Sequence, residues 1–140
     1  MSTVTVITGV IGSDAHIVGE WTIRHALKEA GFKVVSLGAL VSQEEFIKAA
    51  VETNADAILV SSIYGHGRID CDRFRDKLIE AGLQNILLYI GGHLAVGAYD
   101  HEKVEKVFKK MGFDRVYPAT TMPQTVIEDL RRDLKITNLG

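Results

Sequence analysis

Gly12-Ser13-Asp14-Ala15-His16-Ile17-Val18-Gly19 is the stretch that decides how this chain folds. An apolar, β-branched run precedes it (Val4, Val6, Ile7, Val10, Ile11), and a helical pattern follows. Thr3 to Ile11 is therefore expected as a buried strand, and the quoted stretch as the loop at its carboxyl end. In open α/β folds that edge is where ligands bind. The loop holds Asp14, His16 two residues later, and a glycine at either end.

Outward from this loop, two periods alternate. His16 to Ala30 reads as a helix, with Ile17, Trp21, Leu27 and Ala30 at roughly helical spacing. Gly31-Phe32 is a helix stop, since glycine accepts the left-handed conformation cheaply. Lys33 to Leu40 reads as a second strand. Ser42 and Glu45 form a capping box that opens a helix with Phe46, Ile47, Ala50 and Val51 on one side. Ala55 to Ser62 is a third strand, Asp70 to Ala81 a third helix closed by Gly82-Leu83, and Asn85 to Ile90 a fourth strand. A fourth helix covers Asp100 to Met111, closed by Gly112-Phe113, and Arg115 to Tyr117 is a short fifth strand. Pro123 stands at the start of a last helix, where proline is preferred, and Val126, Ile127, Leu130 and Leu134 are its buried side.

Five strand–helix units without a linker imply one α/β domain over residues 1–140, with a parallel sheet and helices on both faces. Five units suggest the flavodoxin-like, Rossmann-like order 2-1-3-4-5. The crevice is then expected between strands 1 and 3, with His16 and Ser61 across it.

Composition narrows the function classes. The chain has 140 residues, 46% hydrophobic and 24% charged, which argues against disorder. The net charge of -2 and the lack of a Lys/Arg block leave no electrostatic footprint for nucleic acid. Cys71 is the sole cysteine, so no internal disulfide forms, and a reducing cytoplasm is the expected location. The N-terminus lacks a basic signal region, and no apolar run approaches the ~20 residues a bilayer requires, so no membrane association is expected.

Several residues on the loop edge carry chemistry, each against a plainer reading. His16 is either a solvated loop histidine or a metal ligand; ligand histidines commonly donate their other N–H to a carboxylate, and Asp14 is within reach. Asp14 is equally a helix N-cap. Gly19, in a first helical turn, marks either a late helix start or close approach of a bulky ligand. In Ser61-Ser62-Ile63-Tyr64-Gly65 a hydroxyl either bonds a buried heterocycle nitrogen, walled by Ile63, or satisfies its own turn. Gly91-Gly92 is a plain turn, or a strand end stripped of side chains so that an extended group lies against the backbone. His66 and His93 match no local zinc spacing and read better as polar contacts. Cys71 reads as a small packed or exposed residue. Tyr117-Pro118-Ala119-Thr120-Thr121 leaves the fifth strand toward the same edge, placing Tyr117 and Thr121 at a pocket rim.

Together these residues resemble the cobalamin-binding motif D-x-H-x-x-G, S-x-L, G-G. Here it reads Asp14-x-His16-x-x-Gly19, Ser61-x-Ile63 and Gly91-Gly92, with residues 20–60 and 64–90 in the gaps and Ile63 for the usual Leu. More narrowly, the chain resembles the small sigma subunit family of glutamate mutase (methylaspartate mutase). The shared phrases are Gly9-Val10-Ile11-Gly12-Ser13-Asp14, Ser61 to Gly65, Gly67-x-Ile69-Asp70-Cys71, Gly91-Gly92 with Val96-Gly97, and Met111 to Tyr117. Ala15, His66 and His93 depart from relatives, which bears only on the finer pocket contacts.

The resemblance implies a cobalamin-binding domain that takes adenosylcobalamin base-off. His16 would be the lower axial cobalt ligand, with Asp14 on its far nitrogen. Ser13, Ala15, Ile17, Gly19, Ser61, Ser62, Ile63, Tyr64, Gly91, Gly92, Tyr117, Thr121 and the run His93-Leu94-Ala95-Val96-Gly97 would surround the cofactor. It further implies an isomerase inactive alone, which interconverts L-glutamate and threo-3-methyl-L-aspartate through an adenosyl radical. A large (epsilon) subunit would hold the substrate, two large with two small chains. No Arg cluster fit for a dicarboxylate stands on the loop edge of this chain. Another carbon-skeleton mutase shares the motif. A corrinoid methyl-transfer protein is expected to carry an N-terminal helical bundle. A receiver domain needs Asp where Ser61 stands and Lys where Pro118 stands, and a flavodoxin needs a Ser/Thr-rich first loop.

Overall fold

The structure is a computed structural model that describes residues 4–12, 18–62, 70–92 and 100–135, with Val18 and Gly19 described by backbone alone. Strands and helices alternate: β1 (Thr5–Val10), α1 (Val18–Glu29), β2 (Lys33–Ser36), α2 (Gln43–Thr53), β3 (Ala57–Ser62), α3 (Phe74–Glu80), β4 (Leu87–Gly92), α4 (His101–Lys110), β5 (Arg115–Pro118) and α5 (Pro123–Asp133). The strands form one parallel sheet in the expected order, β2-β1-β3-β4-β5. All five carboxyl ends therefore share one edge, and β1 lies beside β3 where the winding reverses.

β1 is buried at every position because helices cover both of its faces. Alternate residues serve opposite faces: Ile7 joins Phe46, Ile58, Phe74, Leu88 and Phe108 under α2, α3 and α4. Val6 joins Leu27, Leu59, Tyr89, Val126 and Leu130 under α1 and α5. Ser42 caps α2 with the reciprocal bonds of a capping box, Glu45 N–H to Ser42 Oγ at 3.1 Å and Ser42 N–H to Glu45 Oε1 at 3.2 Å. The glycine-then-apolar stops work as the sequence suggests: the N–H groups of Phe32, Leu83 and Phe113 donate to the carbonyls of Leu27, Leu78 and Phe108. Among the described residues no helix is long and apolar enough to cross a membrane.

Three expectations need correction. Trp21 is not on the buried side of α1; it is 53% exposed, its ring stacked on His25, while Glu20 is 1% exposed. The cause is polar: Thr8 and Ser36 hydroxyls draw Glu20 onto the sheet, which turns the next residue outward. Val51 is likewise exposed, because α2 buries Gln43, Phe46 and Ala50, and Val51 falls ~100° further round the helix. Gly91 and Gly92 do not follow β4; they are its last two residues, paired with Ser61 and Ser62. Smaller shifts are at element ends: β2 stops at Ser36, and regular α3 starts at Phe74.

Candidate functional site

A cleft of about 380 Å³ opens at the carboxyl edge, on the sheet face that carries α1 and α5. Glu20, Thr22 and Ile23 of α1 form one wall. Leu59, Val60 and Ser61 of β3 and Tyr89, Ile90, Gly91 and Gly92 of β4 form the floor. Tyr117, Pro118, Ala119, Thr121, Pro123 and Val126 close the far side. The cleft thus lies over β3, β4 and β5, while the loops after β1 and β3 that would bound the expected crevice, residues 13–17 and 63–69, lie outside the described residues. Glu20 of α1 lies over β1 and bonds Thr8 there, and the space left falls between α1 and α5.

Of the residues singled out from the sequence, Ser61, Gly91, Gly92, Tyr117 and Thr121 line this cleft. Ser62 does not: the strand's period of two sends it to the opposite face, where it is buried. Ser13, Asp14, Ala15, His16, Ile17, Ile63, Tyr64 and the run 93–97, as well as His66, lie outside the described residues. Cys71 is fully buried in the core, and burial first, then the nearby Asp70 charge, pushes its thiol well above the usual range. Glu20, Thr22, Ile23 and Tyr89 are cleft residues that sequence reasoning missed. Tyr89 carried a signal, a phenol inside the apolar run Leu87-Leu88-Tyr89-Ile90 that needs a buried partner.

The two glycines have different reasons. A Cβ on Gly91 would stand 3.5 Å from Tyr117 Cβ, ordinary contact, in space that belongs to the cleft. Gly92 has φ of +116°, and a Cβ there would collide with the Ser62 carbonyl oxygen. Gly92 is thus demanded by the approach of β4 to β3, independently of any ligand.

The far wall is fixed by a polar network. The Tyr117 hydroxyl donates to Asp129 Oδ2 at 2.7 Å, and the Tyr89 hydroxyl donates to Asp133 Oδ2. Arg115 grips Asp133 with two bonds, Nε to Oδ2 at 2.7 Å and Nη2 to Oδ1 at 2.8 Å, and stands 3.5 Å from Asp129. The two phenol rings meet edge to face, 5.7 Å between centroids. With their hydroxyls engaged by α5, the tyrosines present rings to the cleft. Burial first, then the α5 carboxylates, raises both phenols well above the usual tyrosine range.

Arg115 holds the Asp133 carboxyl below the ordinary carboxylate range, so Asp133 contributes stability that is complete above the unfolded value of ~3.9. That contribution is lost as pH falls through the lower folded value. Thermal unfolding followed from pH 6 to 2 is expected to show a steeper acid decline in the wild type than in Asp133→Asn. At neutral pH the variant should be less stable by ~1.5 kcal/mol. Parallel acid limbs would remove Asp133 from the account.

Fold and cleft together define the class, a flavodoxin-like B12-binding domain: a family model described as B12 binding domain matches residues 4–117. The chain is 56% identical to the glutamate mutase sigma subunit of Carboxydothermus hydrogenoformans, over 96% of this chain and 98% of that one. It is also 56% identical to the sigma subunit of Clostridium cochlearium, over 94% of this chain and 96% of that one. It belongs to the family of glutamate mutase sigma subunits.

Solved structures agree on the fold. A cobalamin-binding protein of Desulfitobacterium hafniense superposes with a TM-score of 0.77 at 20% identity, covering 94% of this chain and 59% of that longer one. The receiver domain of NarL from Mycobacterium tuberculosis superposes at 0.69 with 14% identity, covering 98% of this chain and 100% of that one. The fold is thus shared by a cobalamin-binding protein and a receiver domain, and by itself assigns neither role.

Proposed function

We propose that this chain is the cofactor-holding small subunit of an adenosylcobalamin-dependent glutamate mutase, an isomerase that interconverts L-glutamate and threo-3-methyl-L-aspartate. It works with a large (epsilon) subunit, two chains of each. The observation that carries the reading is the convergence of Ser61, Gly91 and Tyr117 on one cleft. They are distant in sequence, and the cleft opens on the edge from which the loop after β1 departs, in a chain 56% identical to sigma subunits.

The cleft suits the group. Its volume of about 380 Å³ is in the range of small-molecule sites, and its lining is largely apolar, with Ser61 and Thr121 among its polar residues and the Glu20 carboxylate already engaged by Thr8 and Ser36. Such a lining accepts a neutral aromatic heterocycle and offers it a few directed hydrogen bonds. When bound, the cofactor supplies the radical chemistry of the rearrangement. The chain's residues bind and orient. His16 would hold cobalt through one ring nitrogen, and Asp14 would keep the proton on the other and so fix the tautomer. Ser61 would offer its hydroxyl to the nucleotide base, Ile63 would wall it, and Gly91 with the run 93–97 would leave room for the tail. Tyr89, Tyr117 and Val126 give the cleft apolar lining.

The test adds adenosylcobalamin to the chain with and without a glutamate mutase large subunit, recording the cobalt spectrum and assaying 3-methylaspartate. The expected result is a base-off, imidazole-ligated spectrum and product only with both subunits. A spectrum with benzimidazole still on cobalt, or no product from the pair, would overturn the proposal.

A further inference from the structure

We infer that Glu20 is the positioning residue for the loop that carries His16, acting through the hydroxyls of Thr8 and Ser36. The inference rests on the reading of His16 as cobalt ligand and goes beyond it by naming what fixes that loop at its far end. Glu20 is in the first turn of α1 and, at 1% exposure, is the most buried acidic side chain among the described residues. Thr8 Oγ and Ser36 Oγ both donate to its Oε1 at 2.7 Å. Thr8 and Ser36 are register partners on β1 and β2, so their hydroxyls stand side by side on one face of the sheet. Arg24, one turn further along α1, places its Nε 3.8 Å from Oε2.

A carboxylate taken out of water in this way is expensive unless directed donors compensate it. Attachment of α1 to the sheet does not require one. Leu27, with the partly buried Ile23 and Ala26, already packs α1 onto the cluster around Val6 and Leu59. Apolar contact is non-directional and leaves a helix free to slide or rotate, whereas two charge-assisted bonds to adjacent strands fix its register.

The Thr8–Glu20 bond joins positions twelve residues apart, and His16 falls inside the ring it closes. The near end of that ring is fixed as well. Gly12 N–H donates to the Val41 carbonyl at 2.8 Å, and the φ of +79°, with the Asp70 carboxylate packed where a Cβ would stand, disfavours a side chain there. A metal ligand must be held to within a fraction of an ångström and a few tens of degrees, which a loop anchored at one end does not provide. Glu20 thus fixes the start of α1, at the end of the segment that carries His16, which itself lies outside the described residues.

The experiment compares Thr8→Val, which keeps shape and removes the donor, with Thr8→Ser, which keeps the donor. The probe is cob(II)alamin bound to the full chain with ¹⁵N-labelled histidine. Affinity, the histidine-derived splitting in the cobalt electron resonance spectrum, and amide exchange of residues 18–24 against β3 and β4 are read on each. Thr8→Val is expected to weaken binding about 10- to 100-fold, the range for residues that orient a metal ligand. It should speed exchange in α1 while β3 and β4 stay protected, and Thr8→Ser should stay within about twofold of wild type. Ser36→Ala, on the partly exposed strand β2, supplies the same readings from a site outside the core should Thr8→Val fail to fold. Wild-type affinity and splitting in Thr8→Val and Ser36→Ala would overturn the inference. Absence of histidine splitting in the wild type would instead overturn the assignment of His16, a separate failure, because exchange in α1 still reports on the clamp.

Discussion

Replacing His16 by alanine is expected to abolish the imidazole-ligated cobalt spectrum and to lower 3-methylaspartate formation, with saturating large subunit, on the order of 100-fold or more. The described residues that line the cleft include no histidine to take its place: Ser61, Thr22 and Thr121 are neutral, the Glu20 carboxylate accepts from Thr8 and Ser36, and the tyrosine hydroxyls are engaged by Asp129 and Asp133. The fold should be indifferent to the change. The sheet register, the capping box of α2 and both hydrophobic clusters are made without residue 16, so unfolding midpoints should agree with wild type. Asp14→Asn is expected to sit between the two, weakening binding or turnover about 10- to 100-fold, because an amide holds the tautomer less firmly than a carboxylate. An unchanged spectrum in His16→Ala would reject the ligand assignment, and wild-type behaviour in Asp14→Asn would reject the tuning role.

Gly92→Ala should be among the most destabilising single changes in the chain, by about 3 kcal/mol or more. Two costs combine. The φ of +116° is one that side-chain-bearing residues rarely adopt, and the new Cβ would meet the Ser62 carbonyl oxygen, with the carbonyl carbon at 3.1 Å. That obstacle is backbone, held in register across β3 and β4, and it cannot swing aside as a flexible side chain would. Gly91→Ala is the matched control. Its Cβ would stand 3.5 Å from Tyr117 Cβ, so the fold should survive within about 1 kcal/mol. The methyl group would occupy cleft space, however, and cobalamin affinity should fall about tenfold. Urea unfolding and cofactor titration of the two variants separate these effects. Equal stability of Gly92→Ala and wild type would contradict the steric account, and equal affinity of Gly91→Ala would contradict a ligand at that wall.

Much of this was legible along the chain because it depends on local periodicity. The β-branched runs around Ile7, Ile58 and Leu88, the Ser42–Glu45 box and the Gly-Phe and Gly-Leu stops each state their conformation within a few residues. The alternation of these units left few topologies open, and the order 2-1-3-4-5 followed. Trp21 and Glu20 show where that reasoning ends. Hydropathy places the tryptophan inside and the glutamate outside, and the opposite holds. The decision was made by two hydroxyls, one on each of two strands, that no window of sequence around residue 20 contains.

The linear sequence by itself determined the alternation of elements, the edge at which Ser61, Gly91, Tyr117 and Thr121 line a cleft, and the family, through Asp14, His16, Ser61 and Gly91-Gly92 at their separations. Those features are short-range patterns or residue identities, which survive without coordinates. Only the tertiary structure decided where the cleft lies, that Ser62 faces away from it, and that Gly92 answers to β3 while Gly91 answers to open space. It also decided that Arg115 ties Tyr89 and Tyr117 to α5 through Asp133 and Asp129. These depend on which elements pack side by side, and the partners in each case are between 12 and 44 residues apart along the chain.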